Sequence, residues 1–401
     1  MSCSSGIASA NSILVAIRTA FERAASGLSS PAELAILFVS GESLADRNAE
    51  ILELWKDLAP EVPFFGGSAE SLVGQRTEVE GGCGASILLI SGLHGAPFVH
   101  ELECIKTPDG PSVMGVTEEL LEKSKLGLML VACPVSFSME LLADVLDLER
   151  GNPKDPICPI MGGYTSSQNW SSPNLIFCGD RILEKGAAVL VLPEGWEWKT
   201  IVSQGCRPIG EPMVITQMDD QAIIGLGGKP AMQQLRELFA SLPTNEQQMM
   251  SSSLMVGRAI NEYSETFSHG EFLIRAVQGI DSSTQGLLVT DRFQVGQTIR
   301  FHLRDAGAAS ADLQNLLSRS QSAVSQAEGG LLFTCNGRGT RMFDKPNHDS
   351  KTVDQYYPNL PLAGIFAAGE FGPVANQNLV HGFTAILHLL VQSNSNDQTN
   401  S

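Results

Sequence analysis

Apolar and polar positions follow two periods along this chain. Ile13, Leu14, Ile17, Phe21, Ala24 and Leu28 share one stripe at helical spacing, with Arg18, Glu22 and Arg23 opposite, which predicts an amphipathic helix over 11–28. Continuous apolar runs at 35–39 and 86–90 read as buried strands, and between them a helix over 45–58 turns Ile51, Leu54, Trp55 and Leu58 inward. Strand, helix and strand in alternation are the signature of an α/β layer.

The same order recurs with a strand at 128–132, a helix over 138–148 and a strand at 188–192. The turn ProPhePheGlyGlySer (63–68) corresponds to ProIleMetGlyGlyTyr (159–164), and 331–335, 361–364 and 385–390 supply a third copy. Strands opening at Leu34, Leu128 and Leu331 are each followed, about thirty residues on, by Pro63, Pro159 and Pro361, a regularity that favours duplication. A fourth copy is expected between 252 and 303, although no ProxxGly turn stands there. Residues 195–250 change character, with a strand running into GlyCysArgProIleGly and a helix over 230–241. An antiparallel meander is predicted over 271–280, 287–290 and 298–303, then a helix over 310–327.

The expected fold class is therefore α/β (mixed α+β): two related domains built from repeated strand-helix-strand units, with mixed sheets covered by helices and glycine turns facing a shared crevice. The join is placed near residue 210, giving domains at 12–210 and 211–392 and a polar, disordered tail at 393–401.

With 43% hydrophobic and 17% charged residues in 401, the chain has ample material for buried cores. Its 26 basic and 44 acidic residues give a formal charge of −18, which repels phosphate backbones and anionic membranes and argues against nucleic acid as a partner. Eight scattered cysteines show no CxxC and no Cys/His cluster at metal spacing, which fits free thiols in a reducing compartment. The apolar run at 13–17 stops at Arg18, too short for a signal core or a membrane span, so the expected location is cytoplasmic. Neither a metal nor a cofactor is expected: GlyLeuGlyGlyLysPro (225–230) lacks Walker spacing, and GlyGlySerAlaGlu (66–70) lacks the last glycine of a nucleophile elbow.

Candidate chemistry concentrates near the C-terminus, in CysAsnGlyArgGly (335–339), AlaGlyGluPheGlyPro (368–373) and HisGlyPheThrAla (381–385). Arg338, between Gly337 and Gly339, either offers its guanidinium fork to an anionic ligand or forms a salt bridge with Glu370 or a nearby Asp. Glu370, after Gly369, either complements a ligand ammonium or pairs with Arg338; together with Asn336 and His381 these residues would line a pocket suited to a zwitterion. Asn336 alternatively caps the turn after its strand. Gly66, Gly67, Gly162 and Gly163 serve either turn geometry or close ligand approach, and Ser68 and Tyr164, which follow them, either complete turns or reach into a crevice between repeats. A thiol at Cys335 with a base at His381 is the catalytic alternative, against a buried structural cysteine.

Those three C-terminal motifs, in that order and spacing, resemble the C-terminal half of the FIST family (F-box and intracellular signal transduction proteins), and the two GlyGly turns resemble its N-terminal half. The resemblance spans about residues 12–391. It implies a sensory protein for signal transduction that binds small molecules such as amino acids, and it brings no agreed catalytic residues. No F-box precedes the first helix and no output segment is recognisable, so the output partner is expected on another chain. A protein-interaction scaffold is the remaining alternative.

Overall fold

A computed structural model describes all residues except 109, 150–155, 170–172, 265, 266, 268, 269, 325 and 394–401, so nearly all of the expected tail lies outside the described residues. The fold is mixed α and β. Contacts divide the chain into two compact units: Met1–Val202, Gln314–Val380 and Thr384 onward form the first, and Ser203–Leu313 with His381–Phe383 form the second. The chain passes from the first unit to the second between Val202 and Ser203. Most of residues 314–392, however, cluster with the N-terminal segment and not with 203–313.

In the first unit one pattern occurs three times. The first copy runs β1 (Ser2–Ser9), α1 (Ile13–Ala25), β2 (Leu34–Ser40), α2 (Asn48–Leu58), β3 (Phe64–Ser68), β4 (Ser71–Gly74), β5 (Thr77–Glu80) and β6 (Gly84–Ser91). The second runs β7 (Phe98–Thr107), β8 (Gly110–Met114), α3 (Glu118–Lys123), β9 (Leu128–Ala132), α4 (Met139–Glu149), β10 (Ile160–Tyr164), β11 (Ile176–Gly179), β12 (Arg181–Leu183) and β13 (Ala187–Val191). The third opens with β14 (Trp196–Gln204). The chain then passes through β15 (Cys206–Asp219), β16 (Ala222–Leu226), β17 (Lys229–Pro230), α5 (Ala231–Ser241), α6 (Thr244–Ser253), β18 (Leu254–Ala259), β19 (Phe272–Ile280), β20 (Leu287–Val289) and β21 (Thr298–Arg304). It resumes the pattern with α7 (Ala306–Ala323), β22 (Gly329–Cys335), α8 (His348–Tyr356), β23 (Leu362–Ala367), β24 (Glu370–Val374), β25 (Gln377–His381) and β26 (Thr384–Gln392).

Pairing is the same in each copy. β2 lies parallel to β3 and antiparallel to β6; β9 stands in the same relation to β10 and β13, and β22 to β23 and β26. Each copy lends its hairpin to another: β4–β5 joins β23, β11–β12 joins β3, and β24–β25 joins β10. The three loans form a closed cycle, so each of three sheets is completed by chain from a different repeat.

Alternation along the first strands explains the layering. Leu34, Ile36 and Phe38, Met129 and Val131, and Leu331 and Phe333 all enter one common core, where Phe38 meets Phe333 edge-on at 5.8 Å. The intervening Ala35, Leu37 and Val39 face α1 and α2, and Leu128, Leu130 and Ala132 pack with residues of α3 and α4. Strands buried on both faces read as continuous apolar runs, as the sequence does here.

The ProxxGly glycines lie inside strands and not in turns. A Cβ on Gly66, Gly162 or Gly364 would stand 2.0, 2.1 or 1.9 Å from the carbonyl oxygen of Leu37, Leu130 or Leu332 on the neighbouring parallel strand. Close backbone approach at one equivalent position therefore fixes all three.

The second unit is an antiparallel sheet in the order β15-β21-β18-β19-β20-β16-β17, closed by an additional β15–β16 pairing. The predicted meander is present, while the fourth strand-helix-strand copy expected over 252–303 is not: among the described residues there, every pairing is antiparallel and no crossover helix intervenes. Among the described residues no helix is long and apolar enough to cross a membrane.

Candidate functional site

β22 and β23 are parallel, so both deliver their C-terminal ends to one edge of the sheet, where loop residues become available to a ligand. After β22 the chain turns through Asn336 and Gly337 into a short 3₁₀ turn at Gly339–Arg341, and α8 then brings Asp349 back in its first turn. Arg338 is fully buried and grips Asp349 with two parallel bonds, Nε to Oδ2 and Nη2 to Oδ1, each 2.8 Å. Asp349 also accepts Thr334 Oγ1 at 2.7 Å and meets His348 Nδ1 at 2.8 Å. His348 stacks on Phe343 with centroids 3.5 Å apart, and the Arg338 guanidinium lies 5.2 Å from the same ring. Burial opposes ionisation of Asp349, but the Arg338 charge and its hydrogen bonds outweigh burial and hold the carboxyl below its usual range.

The loop is held from outside its own repeat. Glu78 and Glu80, two apart on β5, point the same way: Glu78 Oε1 accepts the backbone N–H of Ser350 at 2.8 Å, and Glu80 accepts the N–H and hydroxyl of Thr340, the latter at 2.6 Å. Gly339, at φ 61°, is required here because a Cβ would stand 2.7 Å from Glu80 Oε2. Burial, and then the neighbouring Asp349 charge, push Glu78 up to about 7.

Glu370 opens β24 opposite Gly163 and is fully buried. Its Oε2 accepts both the N–H and the hydroxyl of Thr384, at 3.2 and 2.5 Å. Burial pushes Glu370 up to about 8, against the pull of Thr384 and the Arg338 charge, so the carboxyl is largely protonated at neutral pH. Among the described residues, three buried polar atoms of this edge have no hydrogen-bond partner: Nη1 of Arg338, Oε1 of Glu370 and Oδ1 of Asn336.

The structure thus brings Arg338, Glu370, Cys335 and Asn336 to one sheet edge. The partner of Arg338 is Asp349, the nearby-Asp alternative, and not Glu370. Asn336 donates its N–H to Ala367 at 3.0 Å, Gly337 donates to the Cys335 sulfur at 3.5 Å, and the Gly369 carbonyl accepts the N–H of Tyr164 at 2.8 Å. His381 ends β25 and, with Gly382 and Phe383, belongs to the second compact unit. Ser68 and Tyr164 hold the scaffold: Ser68 Oγ accepts the N–H of Leu175 at 2.9 Å, and the Tyr164 hydroxyl accepts that of Met139, the first residue of α4, at 3.1 Å. Gly67 and Gly163 pack against Val131 and Phe333 of the next repeats. Asp349 and Glu78 carry the electrostatics of the site together with Thr384 of the HisGlyPheThrAla motif, and neither acid stands out in the sequence. The one legible trace is GluValGlu (78–80), two acids spaced to share a strand face.

The family model for the FIST N domain matches residues 13–229 and that for the FIST C domain matches residues 231–373. An uncharacterized protein of Mycobacterium bovis is 34% identical over 359 residues, covering 89% of this chain and 90% of its own length. One of Mycobacterium tuberculosis is 34% identical over 360 residues, covering 89% and 91%. An F-box/LRR-repeat protein of Arabidopsis thaliana is 37% identical over 91 residues, 22% of this chain and 16% of its own. The chain belongs to the FIST family, whose domains are sensory domains of signal transduction.

Proposed function

We propose that this FIST-family chain is a cytoplasmic, non-catalytic sensor that binds a small metabolite, an amino acid or a molecule of similar size, at the Arg338–Glu370 edge and acts on an output protein carried by a separate chain. The observation that carries this reading is the set of unpaired buried atoms. Leaving Arg338 Nη1, Glu370 Oε1 and Asn336 Oδ1 without partners costs about 1–3 kcal/mol each, a cost that a bound polar molecule removes. Nη1 donates to a ligand carboxylate. The Glu370 carboxyl, neutral when empty, ionises against a ligand ammonium, so uptake of an amino acid near pH 7 releases a proton.

Calorimetric titration and thermal shift with a panel of amino acids and small carboxylates test this. A ligand at about 100 times its Kd stabilises the protein by about 2.7 kcal/mol, and its binding enthalpy varies with the ionisation enthalpy of the buffer. Glu370→Gln removes that buffer dependence. No shift with any compound supports a scaffold instead.

One second reading is thiol chemistry at Cys335, which lies at this same sheet edge beside the Arg338 guanidinium. Rapid alkylation of Cys335 at pH 7 relative to the seven other cysteines supports that reading, and an inert thiol supports the sensor.

A further inference from the structure

The second repeat presents the same sheet edge with different chemistry. Gly66, Gly162 and Gly364 pair with Leu37, Leu130 and Leu332, so Cys133 occupies the position of Cys335, and Ser166 that of Ala368. Where the third repeat carries the Arg338 cluster, the second carries a cavity of about 300 Å³, the lower end of the range for small-molecule sites. Its buried wall is polar and made of small residues: Cys133, Thr165, Ser166 and Asn174. Its exposed rim includes Val135 and Glu184.

The hydrogen-bond inventory of that wall fixes what it would take. The Thr165 hydroxyl donates to Ala132 O at 3.1 Å and the Ser167 hydroxyl to Asn169 O at 2.6 Å, so each has only lone pairs left to offer. Ser166 donates to Phe366 O and accepts from Glu70 N, which leaves it one lone pair. Asn174 Oδ1 is an acceptor with no donor. On the rim, the Lys185 ammonium is drawn 2.6 Å from Glu103, while Glu184 accepts from the neutral amide of Asn48 at 2.7 Å. The Ser136 hydroxyl, which accepts from Gly186 N, and the Asn174 amide N–H groups remain as neutral donors, so the charge on offer is the Glu184 carboxylate near the unpartnered Asn174 Oδ1, with Pro134, Val135 and Pro173 as apolar walls.

We propose that this cavity is a second ligand site, separate from the Arg338 edge, for a small organic ammonium with a compact apolar body. Equivalent sheet edges thus carry different chemistry, one a buried guanidinium and a neutral carboxyl, the other a cavity with an unpartnered amide oxygen and a rim carboxylate. The inference does not depend on what the Arg338 edge binds.

Saturation-transfer NMR titrations of the full chain at pH 7 with n-butylamine, n-butanol and butyrate provide the test. Butylammonium binds tightest of the three, Val135→Trp removes its signal by filling the mouth, and Glu184→Gln weakens it about two- to fivefold while leaving n-butanol unchanged, the range for an exposed charge. Both substitutions are at exposed positions, and an unchanged melting temperature shows that the fold is intact. Glu370→Gln leaves butylammonium binding as it was. The proposal is overturned if no probe binds, if butyrate binds as tightly as the amine, if neither rim variant alters amine binding, or if Glu370→Gln abolishes it.

Discussion

Asp349→Ala isolates the buried centre of the third repeat. The substitution removes a carboxylate that receives two bonds from Arg338, one from Thr334 and one contact from His348. Arg338 is fully buried and its Nη1 already lacks a partner, so the guanidinium has no alternative acceptor in place. Breaking a buried pair from one side costs about 3–5 kcal/mol, because the remaining charge stays out of water. The Thr334 hydroxyl, buried in a strand, adds to that cost by losing its acceptor. The apolar pair Arg338→Met with Asp349→Leu has no charge left to strand, and it falls within about 2 kcal/mol of the parent or exceeds it. Urea unfolding followed by tryptophan fluorescence measures this, since Trp196 and Trp198 sit in the common core of the first unit. The reasoning fails if Asp349→Ala costs less than about 1 kcal/mol, or if the double variant loses as much as the two single ones combined.

Stability should fall as pH rises from about 5 to about 8: Glu370 and Glu78, raised to about 8 and about 7, hold protons in the folded chain that the unfolded chain has released, and charging them in place is unfavourable. Urea midpoints measured across that window give the slope, and Glu370→Gln together with Glu78→Gln should flatten it. Gly162→Ala puts a Cβ 2.1 Å from Leu130 O at φ 121° and should cost about 2–6 kcal/mol, strain and overpacking together; soluble protein of parental stability would refute the close-approach account. Ser166→Ala removes bonds to Phe366 O and Glu70 N, which tie the second repeat to the third and the first, and should lower stability by about 1–3 kcal/mol in the same assay.

The cyclic loan of hairpins explains why the candidate site is assembled from distant chain. Glu78 and Glu80 stand some 260 residues before the loop they hold, since β5 belongs to the first repeat and completes the sheet of the third. A substitution in β5 is therefore a perturbation of the Arg338 edge. Thr384, in contrast, holds Glu370 from within the same repeat, 14 residues on at the start of β26.

What the sequence determined by itself is whatever short-range pattern dictates. Runs such as LeuMetLeuValAla at 128–132 could be placed as strands because both faces are buried, and the helices at 13–25, 48–58 and 139–149 because their stripes recur at helical spacing. The interval from strand to proline revealed the repeats, since one backbone approach requires the same glycine in each. Weakly patterned pieces escaped: β1, the hairpin strands of three to five residues, and α8, whose HisAspSerLysThrValAspGlnTyr has little apolar stripe. Their places depend on partners that no local window contains. Tertiary structure alone decided that Arg338 meets Asp349 and not Glu370, that Glu370 is fully buried and so holds its proton, and that His381 belongs with the second unit. Charge state and partner choice follow from burial and from approach across the fold, and neither is written in the spacing of residues along the chain.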